Sequence, residues 1–257
     1  MLYAPLLTGL VVYNIHPLMC LLLIAMATAA FFAQNALGLL LRERGNAQTW
    51  WWLGGCGLIV VAGAGVLQLL GHGRVLWLAV PAVALLGWQA MRRRGTRRQI
   101  DHSLLNEMLT VPVLGLGAPA AQIVASESVT HHALLPYLCF NLYFLGSVLL
   151  VKMLVGAAGD RSTEPLRWRR GGTNLIYHAA VFAGIAVFVA LGDQGSHLMS
   201  GLIGFGPVLL RSVVLWWRLV AGPPDLHTVG LVETSVALWF SVWTGILISR
   251  WPVVEAM

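Results

Sequence analysis

The chain has 257 residues, of which 58% are hydrophobic and 10% charged, with a mean hydropathy of +0.78 and a formal charge of +6. Soluble domains carry about 25% charged residues, so a chain this poor in charge cannot clothe a soluble surface. A soluble enzyme, a disordered chain, a nucleic-acid-binding domain and a disulfide-stapled secreted module are excluded. An all-α, polytopic transmembrane helical bundle forming a single domain over 1–257 remains, with the lipid bilayer as its first partner.

A spanning helix needs about 20 apolar residues. Nine apolar segments are predicted in chain order: 1–14, 17–41, 50–71, 75–91, 103–126, 132–155, 174–191, 197–217 and 228–249. The first is short for a crossing unless it is tilted or more chain precedes it. It has no basic leading stretch and no small-residue cleavage site, so no cleavable signal peptide is expected. The segments are continuous apolar runs without period-two alternation, so they read as helices and not barrel strands. Glycines crowd the third, among them Gly54, Gly55, Gly57, Gly63 and Gly65, and read as close helix packing.

Cytoplasmic loops collect Lys and Arg. Thirteen of the 16 basic residues fall in the even-to-odd connections: Arg42 and Arg44, the run Arg92 to Arg98, then Lys152, Arg161, Arg167, Arg169 and Arg170, and finally Arg218. Only Arg74 and Arg250 fall on the opposite side. This bias predicts a bacterial inner-membrane protein with its N-terminus cytoplasmic and its C-terminus outside. The Arg92 to Arg98 run has the chemistry of an anionic-lipid site or phosphate clamp, but reads first as a topology anchor. Trp50, Trp51, Trp52, Trp77, Trp88, Trp216, Trp217, Trp243 and Trp251 sit near span ends, where indole rings favour the headgroup level.

Cys20, Cys56 and Cys139 each lie in an apolar run with no partner at ligand spacing, so they read as small core residues. His16, His72, His131, His132 and His197 lie at loop or span ends. Only His178 lies within a span, which leaves no matched pair for haem and no metal site. No cofactor is indicated. The sequence has no Gly-x-Ser-x-Gly elbow, Walker loop or HExxH.

Ionisable groups inside a membrane are costly and usually functional. Glu107 lies beside Asn106 early in the fifth predicted span, and His178 lies early in the seventh. Arg211 lies near the end of the eighth, Glu233 early in the ninth, and Gln34 and Asn35 near the end of the second. The topology puts all of them in the cytoplasmic third, although their spans run in opposite directions. That predicts a polar cavity at or just beneath the cytoplasmic face, with Arg211 paired to Glu107 or Glu233. Structural ion pairs, or side chains snorkelling to the interface, would give the same pattern.

Several stretches resemble the YwiC-like family of bacterial membrane proteins. They are LLNEMLTVPVLGLGAPAA (Leu104 to Ala121), NLYFLGSVLLVKML (Asn141 to Leu154), LIYHAA (Leu175 to Ala180), GFGPVLLRS (Gly204 to Ser212) and VGLVETSVALWF (Val229 to Phe240), with weaker similarity before Arg92. The resemblance implies a multi-pass inner-membrane protein and brings no reaction with it. It draws attention to Asn106, Glu107, Pro119, Lys152, His178, Arg211 and Glu233. Family members usually open on a Pro-x-Glu-His-Gly-Ala-Trp segment, which this sequence does not contain. A more distant similarity is to the UbiA-type prenyltransferase scaffold of nine helices. The Asp-rich motifs of those enzymes are absent: NALGLLLRER (Asn35 to Arg44) holds no aspartate, and only Asp160 is acidic in the second region. Mg²⁺ needs such carboxylates, so the likeness extends to scaffold and not to prenyl transfer.

The leading expectation is a cytoplasm-facing cavity for an amphipathic or lipid-soluble molecule, lined by Asn35, Asn106, Glu107, Lys152, His178, Arg211 and Glu233. Whether it catalyses a reaction is left open. The alternatives are a non-catalytic subunit or assembly partner of a larger respiratory or photosynthetic complex, and a small-solute transporter. The transporter requires polar groups through the full membrane depth, whereas these gather on one side.

Overall fold

The computed structural model describes residues 3–41, 45–95, 104–126, 133–158, 166–191, 195–219 and 225–250. Among the expectations above, those on Arg42, Arg44, Arg97, Arg98, His131, His132, Asp160, Arg161 and Trp251 lie outside the described residues. Every regular element among the described residues is helical. In chain order these are α1 (Ala4–Val12), α2 (Pro17–Leu41), α3 (Ala47–Leu69), a 3-10 turn (Gly73–Leu78), α4 (Ala79–Gly95), α5 (Leu104–Gly115), α6 (Gly117–Ser126), α7 (Leu134–Ala158), α8 (Leu166–Leu191), α9 (Gly195–Arg218) and α10 (Leu226–Arg250).

Seven stretches among the described residues are long and apolar enough to cross a membrane, with α5 and α6 together supplying one of them, Glu107–Ser126. The other two expected spans, 1–14 and 75–91, are helical but shorter. α1 has 9 residues, about 14 Å of rise against a hydrocarbon core of about 30 Å. It ends before Asn14, which adopts a positive φ of 47°, and Pro17 opens α2 at a position that needs no amide donor. The other opens as the 3-10 turn, and its apolar part runs only from Gly73 to Leu85. α5 and α6 part because Pro119 has no amide to offer the carbonyl of Gly115, the last residue of α5.

The chain divides into two compact units, Gly9–Ala133 and Leu134–Met257 with Met1–Thr8. In the first, α2 packs along α3. A Cβ at Gly63 would stand 2.6 Å from Met26 Cγ, so this glycine permits the close approach. α3 is bounded at both ends by hydrogen bonds. Asn46 and Thr49 form a reciprocal capping box at its start. At its end Gly71, with φ at 88°, donates to Gln68, and His72 donates to Leu67.

In the second unit α7, α8, α9 and α10 each pack on the next, and α7 also touches α9 and α10, which closes a four-helix bundle. Asp225 caps α10 by accepting from the Thr228 amide at 3.1 Å. That donation holds the exposed Asp225 carboxyl below its ordinary range. One core layer is apolar: Leu150, Met153, Leu154 and Ala157 of α7 meet Leu215 and Trp216 of α9, Leu219 just beyond it, and Val229 of α10. A second layer is aromatic, where Phe140, Phe205 and Phe240 cross edge to face.

The tryptophans divide. Trp50, Trp51, Trp52, Trp77 and Trp217 are exposed on the helices, as interface anchors would be. Trp216, expected among the anchors, instead turns inward and is 9% exposed. Gly171 makes that possible, since a Cβ there would lie 2.5 Å from Trp216 Cδ1.

Candidate ion-pair site

Between the apolar and aromatic layers of the α7–α10 bundle lies a polar layer. Arg211 of α9 pairs through Nη1 with Glu233 Oε2 of α10. The other carboxylate oxygen, Glu233 Oε1, accepts from the Ser147 hydroxyl at 2.6 Å and the Tyr143 hydroxyl at 3.0 Å, both on α7. Tyr143 and Ser147 are four residues apart, so they project from one face of their helix. The Arg211 guanidinium also lies 6.0 Å from the Tyr143 ring centroid, where a ring face attracts a cation. The ring is held in turn by Phe240, stacked on it at 4.7 Å and 13°.

Arg211 and Glu233 each lie seven residues from the same end of the bundle, at Arg218 and Leu226. Seven residues of helix correspond to about 10 Å of depth. A charge at membrane depth costs about 2.5–3.5 kcal/mol on insertion scales, and the pairing offsets this by making the layer neutral.

A neighbouring network joins α8 to α9. Asn174 donates to Ser212 Oγ at 2.6 Å, and the Asn174 carbonyl meets His178 Nδ1 at 2.8 Å. A carbonyl only accepts, so Nδ1 carries the proton, and in the neutral ring Nε2 is left as a bare lone pair. Among the described residues, His178 Nε2, Asn174 Oδ1, and Arg211 Nε and Nη2 are buried without a hydrogen-bond partner. Natural structures hold few such groups, and each calls for an explanation.

His178 Nε2 packs against Gly146 of α7, where a Cβ would stand 2.6 Å away. Gly146→Ala is therefore expected to push the imidazole aside and cost about 1–3 kcal/mol, the usual range for overpacking. Unfolding midpoints in detergent check this. A His178→Ala change made with it should restore most of the loss, because the clash is with that ring.

The structure thus brings Arg211, Glu233 and His178 into one unit. Lys152 lies on α7 of the same unit, partly exposed. The other expected lining residues lie in the Gly9–Ala133 unit. Asn35 is exposed on α2, Glu107 is partly exposed in the first turn of α5, and Asn106 precedes it on that helix. Sequence reasoning missed Tyr143, Ser147, Asn174 and Ser212. The available signal was the spacing of Tyr143–Ser147 and Asn174–His178, each pair four apart on an otherwise apolar helix.

The family model described as YwiC-like protein matches residues 1–122. Of the stretches that carried the resemblance, Leu104 to Ala121 falls inside the match, and the others lie beyond it. The matched region is therefore the earlier part of the chain, just under half of it, and includes the stretches before Arg92 that resemble the family more weakly. No curated protein and no solved structure matches the chain. Over residues 1–122 the chain is similar to YwiC-like proteins, and its described residues are built as those of a multi-pass helical membrane protein.

Proposed function

We propose that the α7–α10 unit binds an amphipathic or lipid-soluble molecule through an anionic or oxygen-rich head group, with Arg211 as its principal contact. One observation carries this reading: Arg211 is 5% exposed, yet its Nε and Nη2 donors have no acceptor among the described residues. A purely structural ion pair is stable only when its remaining donors are satisfied, so the spare guanidinium donors favour an incoming oxygen acceptor. The bias of Lys and Arg towards the connections after α7 and α9 supports a cytoplasmic placement for that end of the bundle, and with it an inner-membrane protein whose N-terminus is cytoplasmic.

The test is native mass spectrometry of the protein purified in mild detergent, beside a doubly neutral Arg211→Gln/Glu233→Gln variant. A lipid-soluble adduct is expected on the parent and not on the variant. The same adducts on both, or a bare parent, would remove the reading. A stoichiometric complex with other membrane proteins, unaffected by the variant, would favour an assembly subunit instead.

A further inference from the structure

Glu233 is the more exposed member of its pair with Arg211. Its side chain is 12% exposed, whereas that of Arg211 is 3% exposed. An anion bound to Arg211 would either join the carboxylate already paired there or displace it. Adding a negative charge to the neutral pair would leave a net charge of −1 buried at membrane depth, which the surroundings strongly disfavour. Neutrality returns if one proton enters with the anion.

The partners of Glu233 suit that exchange. Its Oε1 is held by two hydroxyls, Tyr143 and Ser147. A hydroxyl can accept as well as donate, so both protonation states of the carboxyl find partners there; backbone amides would have served only the anion. The groups facing Glu233 are Tyr143 and Ser147 from α7 and Arg211 from α9, and its own helix neighbours Val229, Gly230, Val236 and Ala237 do not titrate. On α8, His178 is the remaining proton acceptor, but its Nε2 is shut behind Gly146. Resting on the binding role of Arg211 argued above, we infer that Glu233 is a resident counter-ion that a singly charged oxyanion replaces on Arg211, taking up one proton as it does so. Before exchange the layer holds Arg211⁺ and Glu233⁻. Afterwards it holds Arg211⁺, the bound anion and neutral Glu233, with the proton drawn from water. The ligand class is a monoanionic oxyanion such as a phosphodiester, carried by a lipid or free in solution.

Dihexadecyl phosphate in phosphatidylcholine nanodiscs is a suitable probe, because its single charge does not change near neutral pH. Dimethyl phosphate supplies the soluble arm. With the parent protein, apparent affinity should rise by up to about tenfold for each unit that pH falls, the slope for one linked proton. A weakly buffered sample with an indicator dye should record one proton taken up per anion bound. In Glu233→Gln, which imitates the protonated carboxyl, affinity should become independent of pH and be tightest relative to the parent at high pH. Competition by dimethyl phosphate would mark a free anion as sufficient, and binding of the dialkyl probe alone would mark a lipid; both support the exchange. Parental binding without proton uptake would overturn the exchange while leaving the Arg211 site intact. No binding above that of the doubly neutral variant would overturn both. The proton-uptake arm uses the parent protein, so it decides the matter even if Glu233→Gln does not fold.

Discussion

Replacing Arg211 alone with leucine is expected to destabilise the α7–α10 bundle by about 3–5 kcal/mol, the range for removing one partner of a buried ion pair. The loss arises less from the attraction given up than from the Glu233 carboxylate left behind, charged and supported only by Tyr143 and Ser147. The Arg211→Gln/Glu233→Gln double variant should lie within about 1 kcal/mol of the parent, since neither side chain then carries an unmatched charge. Non-additivity is the diagnostic: the double variant should be more stable than Arg211→Leu. Reversible unfolding in mixed micelles of dodecyl sulfate and a mild detergent reads all of these. If Arg211→Leu unfolds at the parental midpoint, the guanidinium is not held in the bundle as described.

That the chain is a helical membrane protein was legible from composition, because charge scarcity is a property of the whole chain and does not depend on register. Segment positions were legible for the same reason. Crossing ability at the margins was not: it depends on backbone details such as the positive φ at Asn14 and the 3-10 turn from Gly73. The site was half legible. Arg211, His178 and Glu233 stand out because charge or imidazole in an apolar run is conspicuous. Tyr143, Ser147, Asn174 and Ser212 do not, since hydroxyls and amides are ordinary in membrane helices. Only helix packing shows that the Tyr143 and Ser147 hydroxyls converge on Glu233. Depth along separate spans, the basis for grouping Glu107 with Arg211, says nothing of which helices are neighbours. The chain offered Arg211 two carboxylates, and the packing of α9 on α10 selected Glu233.

Phe240→Ala is expected to be the second most damaging change, and its effect should reach the ion pair. Phe240 is 1% exposed and touches three rings: it stacks on Tyr143 and meets Phe140 and Phe205 edge to face at 5.5 and 4.8 Å. In soluble cores such a truncation costs about 3–5 kcal/mol. Here separated helices would still lie in hydrocarbon, so the transfer part largely cancels and the lost packing remains, on the order of 2 kcal/mol. The consequence for the site follows from geometry. Without Phe240 beneath it, the Tyr143 ring is free to tilt, and its hydroxyl leaves Glu233 Oε1. Phe240→Leu refills much of the volume but not the flat stacking face. It should recover most of the stability while keeping the change in probe affinity that follows when Glu233 Oε1 loses the Tyr143 hydroxyl, whereas Tyr143→Phe should keep the packing and lose the hydroxyl. Unfolding midpoints paired with dihexadecyl phosphate binding separate the two contributions. Equal recovery of both properties in Phe240→Leu would mean that Tyr143 is oriented by its hydrogen bond and not by the ring below it.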